Sequence, residues 1–266
     1  MNSIKQTCKN VKTLVDSFLN STTPIFCTPT DEPKDTEAWY STWEDNYIGD
    51  FLNNHVVKAG LKKIADFYCA KQLDVLLRHS SELKASSYPQ LYRIYKECCK
   101  RLGFVKMPKL YITYQIFGIN ALSLEVKGHK LILLSRMATI RLNEKELRFI
   151  LGHELGHHQQ GNLVCHTVNG LLDTFNTSSE IFGPMISDTI EVPMKRWCRQ
   201  SEFNADRAGY ICCGDIDAVT NLFLKLGMES VCSAYNEYKE LEDAHPHLQT
   251  RFTELKKIHK TIKVNR

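Results

Sequence analysis

The run KELRFILGHELGHHQQGN, residues 145–162, constrains this chain more than any other feature, because it sets two histidines four residues apart between helix start and stop signals. Asn143 followed three positions later by Glu146 makes a capping-box start, and Gly161 supplies a stop. Leu147, Ile150 and Leu151 give the helix a face to bury. In such a helix His153 and His157 project from one side, about one turn apart. Glu154 is rotated from His153 by about 100° and can reach whatever lies between the two imidazoles. Two neutral imidazoles and a carboxylate suit zinc, one ion per chain, with a fourth position kept for water.

The spacing HExxH alone does not complete a site, so a third ligand is needed. The pattern HExxHxxGxxH fails, because Gln160 stands at its glycine and Leu163 at its third histidine. Glu202, in the helical segment SEFNADRAGY, is the better candidate. Asp206 lies one turn after it on the same face, where it can accept the outer N–H of a liganding histidine and fix its tautomer.

Around this motif, the 266 residues are 43% hydrophobic, enough to bury one substantial core. The formal charge of +4 names no partner, and no nucleic-acid binding is expected from it. Ten cysteines include the adjacent pairs Cys98-Cys99 and Cys212-Cys213 and no C-x-x-C, poor material for a disulfide framework. The N-terminal residues lack the apolar stretch and cleavage site of a secretory signal. Leu163 to Ser187, the most apolar long stretch, is broken by His166, Asp173 and Glu180, so no membrane-spanning helix is expected. A cytoplasmic protein with reduced thiols follows, with peripheral membrane contact through a basic C-terminal segment as the alternative.

Along the chain, residues 1–85 read as an accessory helical segment. It has a Thr/Pro-rich linker around Pro24, Pro29 and Pro33 and a helical run from Asp45 to His79. Residues 86–266 read as the catalytic domain. YPQLYRIYKECCKRLG, residues 88–103, is helical in pattern and ends on a glycine. KLYITY, INALSLEV and KLILLS read as strands, with Lys127-Gly128 as a turn between the last two. Further helices are expected over roughly Pro193 to Cys213, Ile216 to Leu226, Ser230 to Leu241 and His247 to Ile262. His129, His158, His166 and His247 read as structural or exposed, and Cys8 and Cys27 as packing residues.

Together, KELRFILGHELGHHQQGN and WCRQSEFNADRAG resemble the HtpX-like and CAAX prenyl endopeptidase family of gluzincin metallopeptidases. Asn120-Ala121 before a strand, and HPHLQTR near the C-terminus, are similar to further motifs of that family. The resemblance covers roughly Tyr88 to Arg251. It implies an α+β zincin, mostly helical, with a small, partly antiparallel sheet over the active-site helix. It implies that His153, His157 and Glu202 hold zinc, that Glu154 is the general base and that Asp206 supports a ligand. By the same resemblance His245 and Arg251 face the oxyanion, and Asn120 and Ala121 mark the substrate-binding edge. The implied activity is zinc-dependent endopeptidase cleavage of a peptide or protein. A zinc-stabilised binding scaffold and a hydrolase of a non-peptide amide are the alternatives.

Overall fold

The structure, a computed structural model, describes residues 55–160, 163–168, 188–233 and 248–264. The linker prolines, Cys8, Cys27, His245 and His247 lie outside the described residues.

Helix α1 (His55–Ile64) passes through a wider π turn, Ala65–Cys69, into α2 (Ala70–Arg78). Leu61, Ala65, Cys69, Leu73 and Leu76 recur at three- and four-residue spacing, and all are buried. They turn this layer toward a four-stranded sheet ordered β1-β2-β4-β3. Strand β1 (Ser80–Glu82), absent from the sequence-level expectations, pairs antiparallel with β2 (Lys109–Thr113), Ser80 opposite Thr113. Strand β2 runs parallel to β4 (His129–Ser135), and β3 (Ala121–Val126) antiparallel to it, Ala121 opposite Leu134. The sheet is therefore mixed. Residues Leu131 to Ser135 are all buried, which is why β4 reads as a continuous apolar run rather than an alternating one. The β3–β4 turn places Lys127 at φ 51° and Gly128 at φ 75°, the two left-handed positions of a tight hairpin. Asp66 of the π turn accepts the Lys127 N–H at 2.5 Å, tying the first helical layer to that hairpin.

On the helical side, α3 (Pro89–Arg101) starts with a proline in its first turn and stops before Gly103, whose φ is 74°. A short α4 (Arg136–Arg141), capped by Ser135, leads into α5 (Glu144–Gln159). The capping box at the start of α5 is present in full: Asn143 Oδ1 accepts the Glu146 N–H at 3.0 Å, and Glu146 Oε2 accepts the Asn143 N–H at 2.9 Å. Beyond it, α6 (Asp188–Cys213), α7 (Ile216–Ser233) and α8 (Leu248–Val264) complete the described helices. The expected helices Ile216–Leu226 and Ser230–Leu241 run together at their junction: α7 continues through Ser233, and the rest of Ser230–Leu241 lies outside the described residues.

The closest helix packing joins α5 to α6. A Cβ on Gly156 would stand 2.9 Å from both Ala205 Cα and Ala208 Cβ, and one on Gly152 2.7 Å from Cys212 Cβ. Gly209 answers from the other helix, where a Cβ would meet the Phe149 carbonyl at 2.7 Å. These backbones touch. Among the described residues, no helix is long and apolar enough to cross a membrane.

Candidate metal centre

Backbone contact at Gly152 and Gly156 brings the Glu202 turn of α6 level with the two histidines of α5. Glu202 Oε1 lies 3.3 Å from His157 Nε2, and Glu202 Oε2 3.5 Å from His153 Nε2. The two Nε2 atoms are 3.1 Å apart. One ligand atom from each of the three residues falls within 4.8 Å of the others, and Glu202 is only 1% exposed. Glu202 lies 49 residues after His153 and 45 after His157 in sequence; the interhelical contact closes the gap.

Asp206, one turn beyond Glu202, places Oδ1 3.0 Å from His153 Nδ1. A carboxylate there draws the imidazole proton to Nδ1 and leaves Nε2 with its lone pair toward the cluster. Asp206 in turn accepts two bonds from Arg251 of α8, Nε at 2.7 Å and an η-nitrogen at 2.6 Å, while the other η-nitrogen lies 3.2 Å from Glu202. Burial disfavours the charge on Asp206, yet Arg251 and then His153 hold its carboxyl below the ordinary value. Burial likewise opposes protonation of His153, and Glu202 and Asp206 outweigh it, raising its pKa. The guanidinium compensates two buried carboxylates, so none of the three charges is buried alone.

This donor set fits zinc. Two Nε2 atoms converge on a carboxylate, one histidine has its tautomer set by a carboxylate behind it, and three protein ligands leave a position for water. Metal binding here requires neutral imidazoles, so protons leave when an ion enters.

Glu154 is buried, at 6% exposure, on the sheet side of the cluster. Ser123 of β3 sets its Oγ 2.7 Å from Glu154 Oε2 and 2.9 Å from the Glu154 carbonyl oxygen, its one proton serving both. A cleft of 360 Å³ holds His153, Glu154, His157, Glu202 and Arg251 together. Its floor and rim include Ile119 to Ser123 of the β3 edge, and its apolar wall comes from Phe149, Leu222, Phe223 and Leu226.

Of the residues expected from sequence, the cleft gathers His153, His157, Glu202, Glu154, Arg251, Asn120 and Ala121, with Asp206 directly behind. Asn120 accepts the Ser135 N–H at 2.9 Å through its carbonyl and the Ala121 N–H at 2.8 Å through its side chain. Since Asn120 bonds to β4, alternation turns the main-chain groups of Ala121 and Ser123 away from it, to an edge that no other strand covers among the described residues. Further along, Thr167 Oγ1 accepts the Glu125 N–H at 2.6 Å and ends that open stretch.

Three contributions were not expected from sequence. Gly152 and Gly156 carried a readable signal, two glycines four apart inside a helix. Ser123 had none, since a serine in a strand marks nothing by itself. His166, expected to be structural or exposed, lines the cleft, its ring centroid 3.9 Å from that of His157. His158 is buried; burial, with His157 and Lys130, lowers its pKa to about 3, so it is neutral.

Comparison with known proteins agrees with this geometry. The family model described as Peptidase family M48 matches residues 85–259. The chain belongs to peptidase family M48. It is 31% identical over 143 residues to plastoglobule-localized metallopeptidase 48, chloroplastic, of Arabidopsis thaliana, a match covering 53% of this chain and 41% of that protein. It is 21% identical to a protease HtpX homolog of Ralstonia nicotianae, covering 60% of this chain and 63% of the relative. A protease HtpX homolog of Methylibium petroleiphilum is 23% identical over 73% of this chain and 74% of its own length. The chain thus spans less than two thirds of the first two relatives.

Proposed function

We propose that this protein is a zinc-dependent metalloendopeptidase that hydrolyses peptide bonds of a peptide or protein substrate, with one zinc per chain. The observation that carries this reading is the convergence of His153, His157 and Glu202 in a cleft that also holds the Glu154 carboxylate and an open strand edge. Family membership and the metallopeptidase and protease names of its relatives support it.

His153, His157 and Glu202 would hold the zinc, which when bound supplies Lewis acidity and lowers the pKa of a water. An extended substrate pairs with the outward carbonyl of Ala121 and the main-chain groups of Ser123, which fixes its carbonyl over the cluster. Glu154 accepts the proton released as the water oxygen bonds to the carbonyl carbon. It then delivers that proton to the amide nitrogen as the C–N bond breaks, so the acid and base roles fall on one carboxylate. Ser123 holds that carboxylate toward the cleft. Arg251 neutralises Glu202 and Asp206 and stands beside the place where negative charge develops on the carbonyl oxygen, a role we assign also to His245. Burial pushes the Cys69, Cys99 and Cys165 thiols up to about 12. The seven cysteines among the described residues are all free thiols, which accords with a reducing compartment, the cytoplasm in our reading.

The test is Glu154→Gln in purified protein. The variant should retain zinc and melt like the parent, while peptide hydrolysis falls about 10³-fold, because an amide does not take the proton. Parental turnover in that variant would sink the mechanism.

A further inference from the structure

His166 lines the cleft yet has no part in the hydrolytic reading. Its contacts give it one. A histidine that binds metal through one ring nitrogen still has a soft side-chain torsion, broad and nearly two-fold, so something must hold the ring. The usual restraint is a hydrogen bond to the other nitrogen. His153 has it, in Asp206. His157 does not: its Nδ1 is buried and has no hydrogen-bond partner among the described residues. A half-turn of that ring would replace Nε2 with carbon and remove a ligand atom that now lies 3.3 Å from Glu202.

What His157 has instead is ring contact on two sides. The His153 ring meets it edge-on, centroids 4.7 Å apart, and the His166 ring lies at 3.9 Å, tilted by 44°. His166 is itself anchored. Its Nε2 lies 2.7 Å from Ser201 Oγ, and Ser201 gives its hydroxyl proton to the Cys198 carbonyl at 2.7 Å, so the serine oxygen accepts the His166 N–H. Ser201 precedes Glu202 on α6, which ties this anchor to the third ligand. The residue after His166 is pinned too: Thr167 accepts the Glu125 N–H and donates to the Leu163 carbonyl at 2.9 Å.

We propose that His166 is a positioning residue for His157, holding the metal-binding imidazole by ring contact as Asp206 holds His153 by a hydrogen bond. This rests on the reading of His153, His157 and Glu202 as the zinc ligands. The two histidines of the motif are then steadied by unlike means, and the second depends on the segment 163–168 that follows the active-site helix.

The experiment measures zinc affinity by chelator competition and the absorption of the cobalt(II)-substituted protein, for the parent, His166→Ala, His166→Phe and Ser201→Ala, with Glu202→Ala as control. His166→Ala should bind zinc about 10-fold more weakly, with an altered cobalt spectrum at parental melting temperature. His166→Phe, which keeps a flat ring, should stay near the parent, and Ser201→Ala should fall between. Parental affinity and spectrum in His166→Ala, or a phenylalanine variant no better than the alanine one, would overturn the proposal. Should His166→Ala not fold, Ser201→Ala decides on the same two readouts. Parental zinc binding by Glu202→Ala would instead overturn the ligand assignment, and this proposal with it.

Discussion

Where α5 meets α6, glycines and alanines let two helix backbones touch; where α5 meets β3, a single serine hydroxyl bridges to a carboxylate and the strand's rim is left open. The first contact has no adjustable atoms. It fixes the distance between Glu202 and the two histidines, which on the proposed reading as metal ligands must be right to within a few tenths of an ångström. The second contact leaves main-chain groups unspent, as a surface must if another chain is to pair with it. Rigidity sits behind the His153–His157–Glu202 cluster and openness in front of it, on two sides of one helix.

The largest expected effect breaks the rigid side. Gly156→Ala adds a methyl group 2.9 Å from Ala205 and Ala208. Helix propensity alone would favour alanine by about 1 kcal/mol, so a net loss reports the contact. Overpacking should cost about 3 kcal/mol, seen in denaturant unfolding, with a matching loss of zinc as Glu202 moves from His157. An alanine variant more stable than the parent would mean the helices do not touch there.

A smaller effect sharpens the other side. Ser123→Ala removes the hydroxyl from Glu154, a hydrogen bond to a carboxylate worth about 1.5 kcal/mol. Turnover should fall about tenfold while zinc content and KM hold, because the Glu154 carboxylate, the base on the proposed mechanism, loses its aim and the strand edge keeps its shape. Steady-state kinetics that show a changed KM at parental kcat would place Ser123 in substrate binding instead.

The smallest effect calibrates both from outside the cleft. Asp215 caps α7, accepting the Asp217 and Ala218 N–H groups at 2.9 and 3.2 Å, and pairs with Lys145 at the start of α5. Lys145 and those N–H groups hold its carboxyl below the ordinary value. A depressed folded-state pKa means the stabilisation is present above the unfolded carboxylate value, about pH 4, and disappears as pH falls below it. Asp215→Ala should lose about 1 kcal/mol at pH 7, a deficit that shrinks in acid, with hydrolysis unchanged. A deficit that is constant from pH 7 to pH 3 would assign the effect to packing.

Much of this was legible from residues alone, because local signals carried it. Asn143 and Glu146 announce the start of α5, the four-residue spacing of His153 and His157 announces their shared face, and Lys127-Gly128 announces the hairpin. Glu202 and Asp206 were legible as a pair one turn apart; their pairing with His153 and His157 came from the company of the motif. The short strand β1 was not legible, since three polar residues carry no alternation. Nor was the parallel pairing of β2 with β4, which depends on the chain passing β4 before β3 is laid down beside it. Ser123 and His166 escaped for the same reason: each acts through a partner more than thirty residues away or across a helix, and sequence order says nothing of that distance.

Arg251 has a consequence for the order in which the protein is made. It lies 45 residues after Asp206 and 98 after His153, so it leaves the ribosome well after both residues have emerged. Until it arrives, Glu202 and Asp206 would have to be buried without their counter-charge, a penalty of about 3–5 kcal/mol. A nascent chain therefore carries Glu202 and Asp206 without that counter-charge for the 45 residues of synthesis between Asp206 and Arg251. Synthesis of α8 is the event that supplies the guanidinium and lets the two carboxylates be buried as a compensated group.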